Sequence, residues 1–275
     1  MSRNPQAQQM ADPSMLVNLR AQANAIWPQE EPLLARYSLP ADAHILDVGC
    51  GSGEISSRLA RHYPEARVIG VDILPSSIAF ARREHAALAP RLSFEQGDAF
   101  HLRFASDTFD LVVCRHMTQS VPHPELVLRE LVRVCKSGGW VHVLSEDYWM
   151  LHFPPGRLDP DRLFHDGVPA YSRATHTDER IGRRTWALLK ALGLEALWVD
   201  YAIVDTLRVP RETFATILRA WRDGYADTLQ ATGNFAPGEA KALFDAAVDA
   251  ILDPSQYVVW HVPIVGGRKP GRGGS

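Results

Sequence analysis

Apolar residues along this chain alternate between short unbroken runs and stripes spaced three to four residues apart, the marks of strands and amphipathic helices. Runs at 44–48, 67–72, 91–96, 109–114 and 140–146 predict strands, and striped stretches at 54–63, 75–88 and 124–136 predict helices between them. The runs Val68-Ile-Gly-Val and Leu111-Val-Val are nearly continuous, as in strands buried on both faces. Such alternation implies an α/β architecture with a parallel sheet covered on both sides. Two helices are predicted upstream, 13–27, closed by Pro28, and 29–37, ending at Ser38-Leu39-Pro40. Residues 147–180 break the rhythm and are rich in Pro, His, Arg and aromatics, including Tyr148, Trp149, His165 and Tyr171. A helix at 182–192, stopped by Gly193, a strand at 195–205 and a last strand at 257–265 follow. The intervening segment 208–252 holds two amphipathic helices, one striped by Phe214, Ile217, Leu218 and Trp221, the other by Leu243, Phe244, Ala247, Val248 and Ile251. Residues 1–11 and the glycine-rich end, 266–275, are expected to be mobile by composition.

Residues 45–53 read Ile-Leu-Asp-Val-Gly-Cys-Gly-Ser-Gly, a strand ending in an acid and then a glycine-dense turn. Gly49, Gly51 and Gly53 permit backbone conformations that other residues resist, and they let a ligand lie against the main chain. The helix starting at 54 places the turn where free N–H groups point outward. A nucleotide-like ligand is expected there. The dinucleotide fingerprint Gly-x-Gly-x-x-Gly fails in both registers, because its last position falls on Glu54 or on Ser56. The pattern is Gly-x-Gly-x-Gly, with Asp47 two residues ahead.

This segment resembles motif I of the class I S-adenosylmethionine-dependent methyltransferases, and the resemblance continues in order. Arg67-Val-Ile-Gly-Val-Asp72 is a second strand ending in an acid, about twenty residues on, where such folds place a ribose-binding carboxylate. Leu92-Ser-Phe-Glu-Gln-Gly-Asp98-Ala99 is similar to the next family motif, which implies that Asp98 accepts a hydrogen bond from the adenine amino group. Phe109-Asp-Leu-Val-Val-Cys114 and the helix, Ser-Gly-Gly turn and strand that follow complete a match over residues 44–146. The resemblance implies a Rossmann-like doubly wound sheet, mostly parallel, whose last strand pairs antiparallel at the edge. It implies S-adenosyl-L-methionine as cofactor. Its binding residues are expected to be Asp47, Gly49, Cys50, Gly51, Gly53, Asp72, Ile73, Asp98 and Ala99, with Asp47 orienting the glycine loop. The segment Arg115 to Pro122 matches one that passes the methionine moiety, which adds Arg115 and Gln119. Arg20, on the N-terminal helix that similar proteins fold over the cofactor, is expected to reach the cofactor carboxylate. Quinone-biosynthesis methyltransferases often carry a His pair where Gln119 and Ser120 stand here, so their acceptor does not transfer.

Bulk properties narrow the partners. The 275 residues suffice for one large domain with insertions, and 46% apolar content is ordinary for a globular protein. A net charge of −3 argues against a dedicated nucleic-acid binder. No run approaches the ~20 apolar residues of a membrane span, and 1–10 lacks the apolar core of a signal peptide, so a cytoplasmic protein is expected. Cys50, Cys114 and Cys135 are odd in number and read as buried free thiols. No Cys-x-x-Cys or His-x-x-x-His spacing suggests a metal site.

The resulting expectation is a methyltransferase acting on a small molecule by in-line displacement, as a monomer or homodimer. Its divisions are an N-terminal helical cover, 1–40, a core, 41–207 and 253–267, with a loop insertion, 147–180, a helical lid, 208–252, and a tail, 268–275. His116 is the candidate general base, since imidazole titrates near neutrality, and Glu146, Asp147 and Tyr148 form a second polar cluster at the next strand end, read either as acceptor contacts, with Glu146 and Tyr148 as catalytic candidates, or as a strand cap. The arginines of 147–184 are nearly matched by acids and read as solvated, while the aromatics of 147–171 and 208–252 favour an apolar acceptor. A nicotinamide-dependent oxidoreductase and a non-catalytic cofactor-binding protein are the alternatives.

Overall fold

The computed structural model describes residues 5–10, 13–233 and 235–271. The helices are α1 (Ala7–Met10), α2 (Pro13–Glu30), α3 (Glu54–His62), α4 (Pro75–Glu84), α5 (Pro124–Val134), α6 (Val168–Thr175), α7 (Gly182–Ala191), α8 (Arg211–Thr232) and α9 (Glu239–Leu252). The strands are β1 (His44–Val48), β2 (Arg67–Asp72), β3 (Leu92–Gln96), β4 (Phe109–Arg115), β5 (Cys135–Leu144), β6 (Leu151–His152), β7 (Glu195–Asp205) and β8 (Val259–Arg268). All join one sheet in the order β3-β2-β1-β4-β5-β8, with β6 and β7 both paired to β8. Pairing is parallel from β3 to β5 and antiparallel at β8.

Strand order reverses between β1 and β4, since β1 is flanked by β2 on one side and β4 on the other. In open α/β sheets ligands bind beyond the carboxyl ends of the strands at such a switch point. The glycine turn follows β1 and His116 follows β4, so both stand there. Gly49, Gly51 and Gly53 take φ of 75°, 50° and 79°. Gly53 shows why the residue type is needed, since a Cβ there would lie 2.6 Å from the Phe94 ring.

Several expected boundaries move. Pro28 lies inside α2 and does not close it; near a helix end a proline forfeits one hydrogen bond at fixed, helix-compatible φ. The second predicted helix is a 3-10 segment, Glu31–Arg36. Strand β5 begins at Cys135 rather than at 140, because Cys135 pairs with Phe109 and Trp140 with Leu111, leaving Ser137, Gly138 and Gly139 as an irregularity. The tail expected to be mobile is held as far as 269. Gly266 and Gly267 pair within β8, and the Lys269 ammonium donates to the Cys135 carbonyl at 2.8 Å and pairs with Asp107 at 3.0 Å. Residues 272–275 lie outside the described residues, as do 1–4, 11 and 12 of the N-terminal stretch, whose residues 7–10 form α1.

The segment 208–252 folds as the α8–α9 pair. It shares one apolar core with α2 and β8, in which Met15, Ile26, Phe214, Leu218, Phe244 and Trp260 are buried. Helix α2 also covers the outer edge of β7: the Gln29 amide donates to the Ile203 carbonyl at 2.9 Å and accepts from its N–H at 3.0 Å. A polar side chain thus satisfies part of an edge that would otherwise be open to pairing.

Candidate active site

Two cavities meet at the switch point. The first is a cleft over the glycine turn, lined by Asp47, Gly49 to Ser52, Asp72, Ile73, Asp98, Ala99 and Arg115, and roofed by Met15, Leu16 and Leu19 of α2. The second is an inner chamber of about 670 Å³, counting its mouth, bounded by α2, α8 and the 147–180 segment. His116 and Ser120 line both cavities.

The acids of the cleft divide their work. Asp47 is buried beneath the turn, where the Ser56 hydroxyl donates to it at 2.6 Å, and burial pushes its carboxyl up to about 6. Asp72 ties the turn to β2: its two oxygens accept the Gly51 and Leu74 N–H groups, each at 2.9 Å. Burial raises the Asp72 pKa, against the backbone hydrogen bonds that lower it. The carboxylate also lines the cleft, where its remaining acceptor capacity faces a ligand. Asp98 accepts the Phe100 N–H at 2.9 Å and caps its turn while still lining the cleft. Burial drives the Cys50 thiol well above its ordinary range, so it is a neutral wall.

Among the cationic candidates, Arg20 lies away from both cavities and Arg115 lines the cleft. Arg20 lines neither cavity; its guanidinium pairs with Glu54 at 2.9 Å and Glu84 at 3.0 Å on the exposed face of α2. An i, i+4 reading of α2 could not show that these two acids from other helices capture it. Arg115 is buried, pairs with Glu30 at 2.8 Å, and keeps its Nε without a hydrogen-bond partner. Gln119 lines the chamber and not the cleft, with its Oε1 buried and unpartnered.

His116 is the first residue beyond β4 and has a φ of 52°, a left-handed conformation that costs strain in a non-glycine residue. Its N–H is fixed on the Leu144 carbonyl at 2.9 Å. Its Nδ1 makes a short hydrogen bond with the Glu146 carboxylate, while Nε2 is buried with no partner. A carboxylate on one ring nitrogen leaves the other as the basic one. Glu146 is held by its own carbonyl, which accepts the Gly182 N–H at 2.9 Å. A Cβ at Gly182 would lie 2.6 Å from the Ser145 carbonyl oxygen. Gly182→Ala is therefore expected to cost about 1–3 kcal/mol, read as a lower denaturant midpoint, and to shift Glu146.

Tyr148 lines the chamber as a wall residue. Burial, then the nearby Glu146 and Glu179, hold its pKa well above the ordinary value, so it serves as a hydroxyl donor and not as a base. Asp147 is buried, caps the Trp149 N–H at 3.2 Å and pairs with Arg183. Residues that sequence reasoning did not place here include Gln6, Asn18, Glu179, Trp221, Tyr225 and Phe244. Trp221 and Phe244 are individually visible in the sequence only as members of apolar stripes, within the segment whose aromatics favour an apolar acceptor. The spacing argument against a metal does not cover His152, Asp161 and His165, whose potential ligand atoms lie within 4.8 Å of one another.

With this geometry in view, residues 39–175 match the family model of a methyltransferase domain. The chain carries a class I S-adenosylmethionine-dependent methyltransferase domain. A trans-aconitate 2-methyltransferase of Methylobacterium nodulans is 36% identical over 115 residues, 42% of this chain and 43% of that protein. Ajmaline N-methyltransferase of Rauvolfia serpentina is 35% identical over 104 residues, 37% of this chain and 35% of that protein. The matched part of the methyltransferase domain thus spans about half the length of such relatives, or less. Among solved structures, phosphoethanolamine N-methyltransferase 2 of Haemonchus contortus shares the fold at a TM-score of 0.62 and 19% identity, covering 98% of this chain and 60% of that one. The [4+2]-cyclase SpnF shares it at 0.58 and 22%, covering 89% and 80%.

Proposed function

We propose that this protein moves a methyl group from S-adenosylmethionine to a small-molecule acceptor by in-line displacement. The observation that carries the reading is the His116–Glu146 pair, whose free imidazole nitrogen is buried where the glycine-turn cleft opens into the inner chamber.

The cleft suits the cofactor on its own chemistry. A Cβ on Gly51 would fill the cradle, 2.8 Å from Leu19 of the roof. Asp72 offers acceptors for a ribose diol, Asp98 and Ala99 line the far end for the adenine, and Arg115 offers a buried donor for the carboxylate. When bound, S-adenosylmethionine supplies an activated methyl carbon and a thioether leaving group. The protein then has to hold the acceptor in line, exclude water and take a proton. Positioning alone contributes roughly 7–11 kcal/mol in favourable cases. The roof of α2 and the α8–α9 pair enclose the chamber, which supports their reading as a lid. His116 Nε2 takes the proton, and Glu146 stabilises the imidazolium through Nδ1.

Parallel calorimetric titrations with S-adenosylmethionine, S-adenosylhomocysteine and NAD test the cofactor. Both adenosyl ligands are expected to bind while NAD stays silent, and binding of NAD alone would overturn the proposal. Asp72→Ala is expected to weaken S-adenosylmethionine at least about tenfold in a folded protein, the loss of charge-accepting hydrogen bonds worth ~1.5–3 kcal/mol. Unchanged affinity removes the ribose role.

A further inference from the structure

We infer that the inner chamber is built for a protonated amine on an apolar body, so that the methyl acceptor is a nitrogen. This rests on the methyltransferase reading and names its substrate class.

Three features of the chamber point the same way. The first is its charge. Its lining carries two carboxyl groups, Glu146 and Glu179, and neither lysine nor arginine among the described residues. An anionic guest would meet two acids and no counter-ion in a buried space, an arrangement that costs several kcal/mol.

The second is an excess of hydrogen-bond acceptors. Glu146 Oε2, 99% buried as a side chain, has no hydrogen-bond partner, and Gln119 Oε1 and Asn18 Oδ1 of the same lining are buried and unpartnered, against one unpartnered hydroxyl, that of Tyr171. Buried acceptors without donors are costly, and a guest bearing N–H groups supplies what they lack. Glu179 adds a second carboxyl to the same wall. It is 5% exposed, and one oxygen receives the Gln6 amide at 3.1 Å and the Thr177 hydroxyl at 3.2 Å. Burial, then the proximity of Glu146, raises the Glu179 pKa well above the carboxylate range, which favours its neutral form in the free chamber; an ammonium alongside would favour its ionisation.

The third is the ring lining. Tyr148 meets Trp221 edge-on at 5.5 Å between centroids and stacks with Phe164 at 6.0 Å, while Tyr171 and Tyr225 stand perpendicular at 6.3 Å. Aromatic walls attract an ammonium through their quadrupoles, most strongly where water is excluded, and they give its carbon skeleton an apolar bed. Neither an alcohol nor a carboxylate uses all three features.

The transfer balances with the groups present. The ammonium gives one N–H proton to His116 Nε2. The freed nitrogen lone pair forms the new N–C bond to the methyl carbon as the C–S bonding pair stays with sulfur, leaving a neutral thioether and a methylated ammonium. His116 later releases its proton to solvent.

The test uses three ligands with one body and different heads: phenylbutylamine, phenylbutanol and phenylbutyrate. Each is titrated by calorimetry at neutral pH into full-length protein already saturated with S-adenosylhomocysteine. The amine is expected to bind at least about tenfold more tightly than the alcohol, with the carboxylate weakest. Glu179→Gln keeps the hydrogen-bonding shape and removes the carboxyl that can ionise against an ammonium. It is expected to weaken the amine about tenfold and leave the alcohol and S-adenosylhomocysteine unchanged. Equal or tighter binding of the alcohol or carboxylate overturns the inference, as does an amine preference that survives Glu179→Gln or silence from all three ligands. If Glu179→Gln does not fold, the wild-type series alone decides. Failure of S-adenosylhomocysteine to bind is seen before any amine is added and sinks the methyltransferase reading instead.

Discussion

His116→Ala is expected to lower turnover by about 10²–10⁴-fold while leaving S-adenosylhomocysteine affinity within about twofold. The split follows from position. His116 borders the cleft but holds no part of the glycine turn; its ring is committed through Nδ1 to Glu146, and Nε2 is free at the junction of the two cavities. It is also the sole imidazole among the described residues lining the chamber. Removing it deletes a proton acceptor and leaves the walls that position both ligands. Rates are to be compared using the tightest-bound amine, with calorimetry giving the affinities. Glu146→Gln is the informative companion: it keeps a group of the same shape beside Nδ1 but withdraws the negative charge, so turnover falls with little change in S-adenosylhomocysteine affinity. A His116→Ala enzyme that turns over at the wild-type rate would make this residue a wall, and its left-handed backbone would then need another explanation.

Fold alone does not carry that argument. A cyclase and an N-methyltransferase share this architecture at TM-scores of 0.58 and 0.62, so the chemistry must be read from side chains at the switch point. Much of the frame was legible because it is written locally. The β2 run at 67–72 and the β7 run at 195–205 show their periods in consecutive residues, and the positive-φ turn at Gly49, Gly51 and Gly53 announces itself by composition. His116 and Glu146 were legible as strand-end residues, since β4 and β5 are adjacent and parallel.

What was not legible is non-local. Glu179 looked like one of several acids balancing the arginines of 147–184. Arg183 and Arg184 do pair with Asp147 and Asp178, but Glu179 turns inward against Gln6, a residue 173 positions away in a stretch read as mobile. The expectation for Arg20 rests on similar proteins folding this helix over the cofactor, and only the arrival of α3 and α4 beside α2 shows that Glu54 and Glu84 take its charge. The excess of acceptors in the chamber has no sequence signal at all. It is a property of α2, the ends of β4 and β5 and the segment before α7 brought together, and no window of the chain contains more than a fragment of it.

Glu30→Ala is expected to destabilise the protein by about 3–5 kcal/mol, the cost of leaving a buried charge unpaired. Glu30 ends α2 and is 2% exposed as a side chain. One oxygen lies 2.8 Å from the Arg115 guanidinium and the other 2.9 Å from His142 Nε2, whose Nδ1 meets the Tyr37 hydroxyl at 2.8 Å. The network clamps the cover helix onto β4 and β5 directly beneath the site, so its loss should also loosen the roof of the cleft. An exposed pair serves as the control. Asp200 lies 2.8 Å from Arg36, the same distance, but both side chains are over a third exposed, and Asp200→Ala should cost at most about 1 kcal/mol. The network also sets an acid limit. Burial alone would raise the Glu30 pKa, but Arg115 and then His142 outweigh it and hold the carboxyl below its ordinary value. A depressed folded pKa means that this stabilisation is complete above the unfolded-chain value of about 4.3 and is lost as pH falls through the folded one. Wild-type stability, followed by urea denaturation from neutrality downward, should therefore fall below about pH 4 more steeply than that of Glu30→Ala, so that the gap between them narrows. A gap that stays constant through the acid range would mean that Glu30 acts by packing and not by charge.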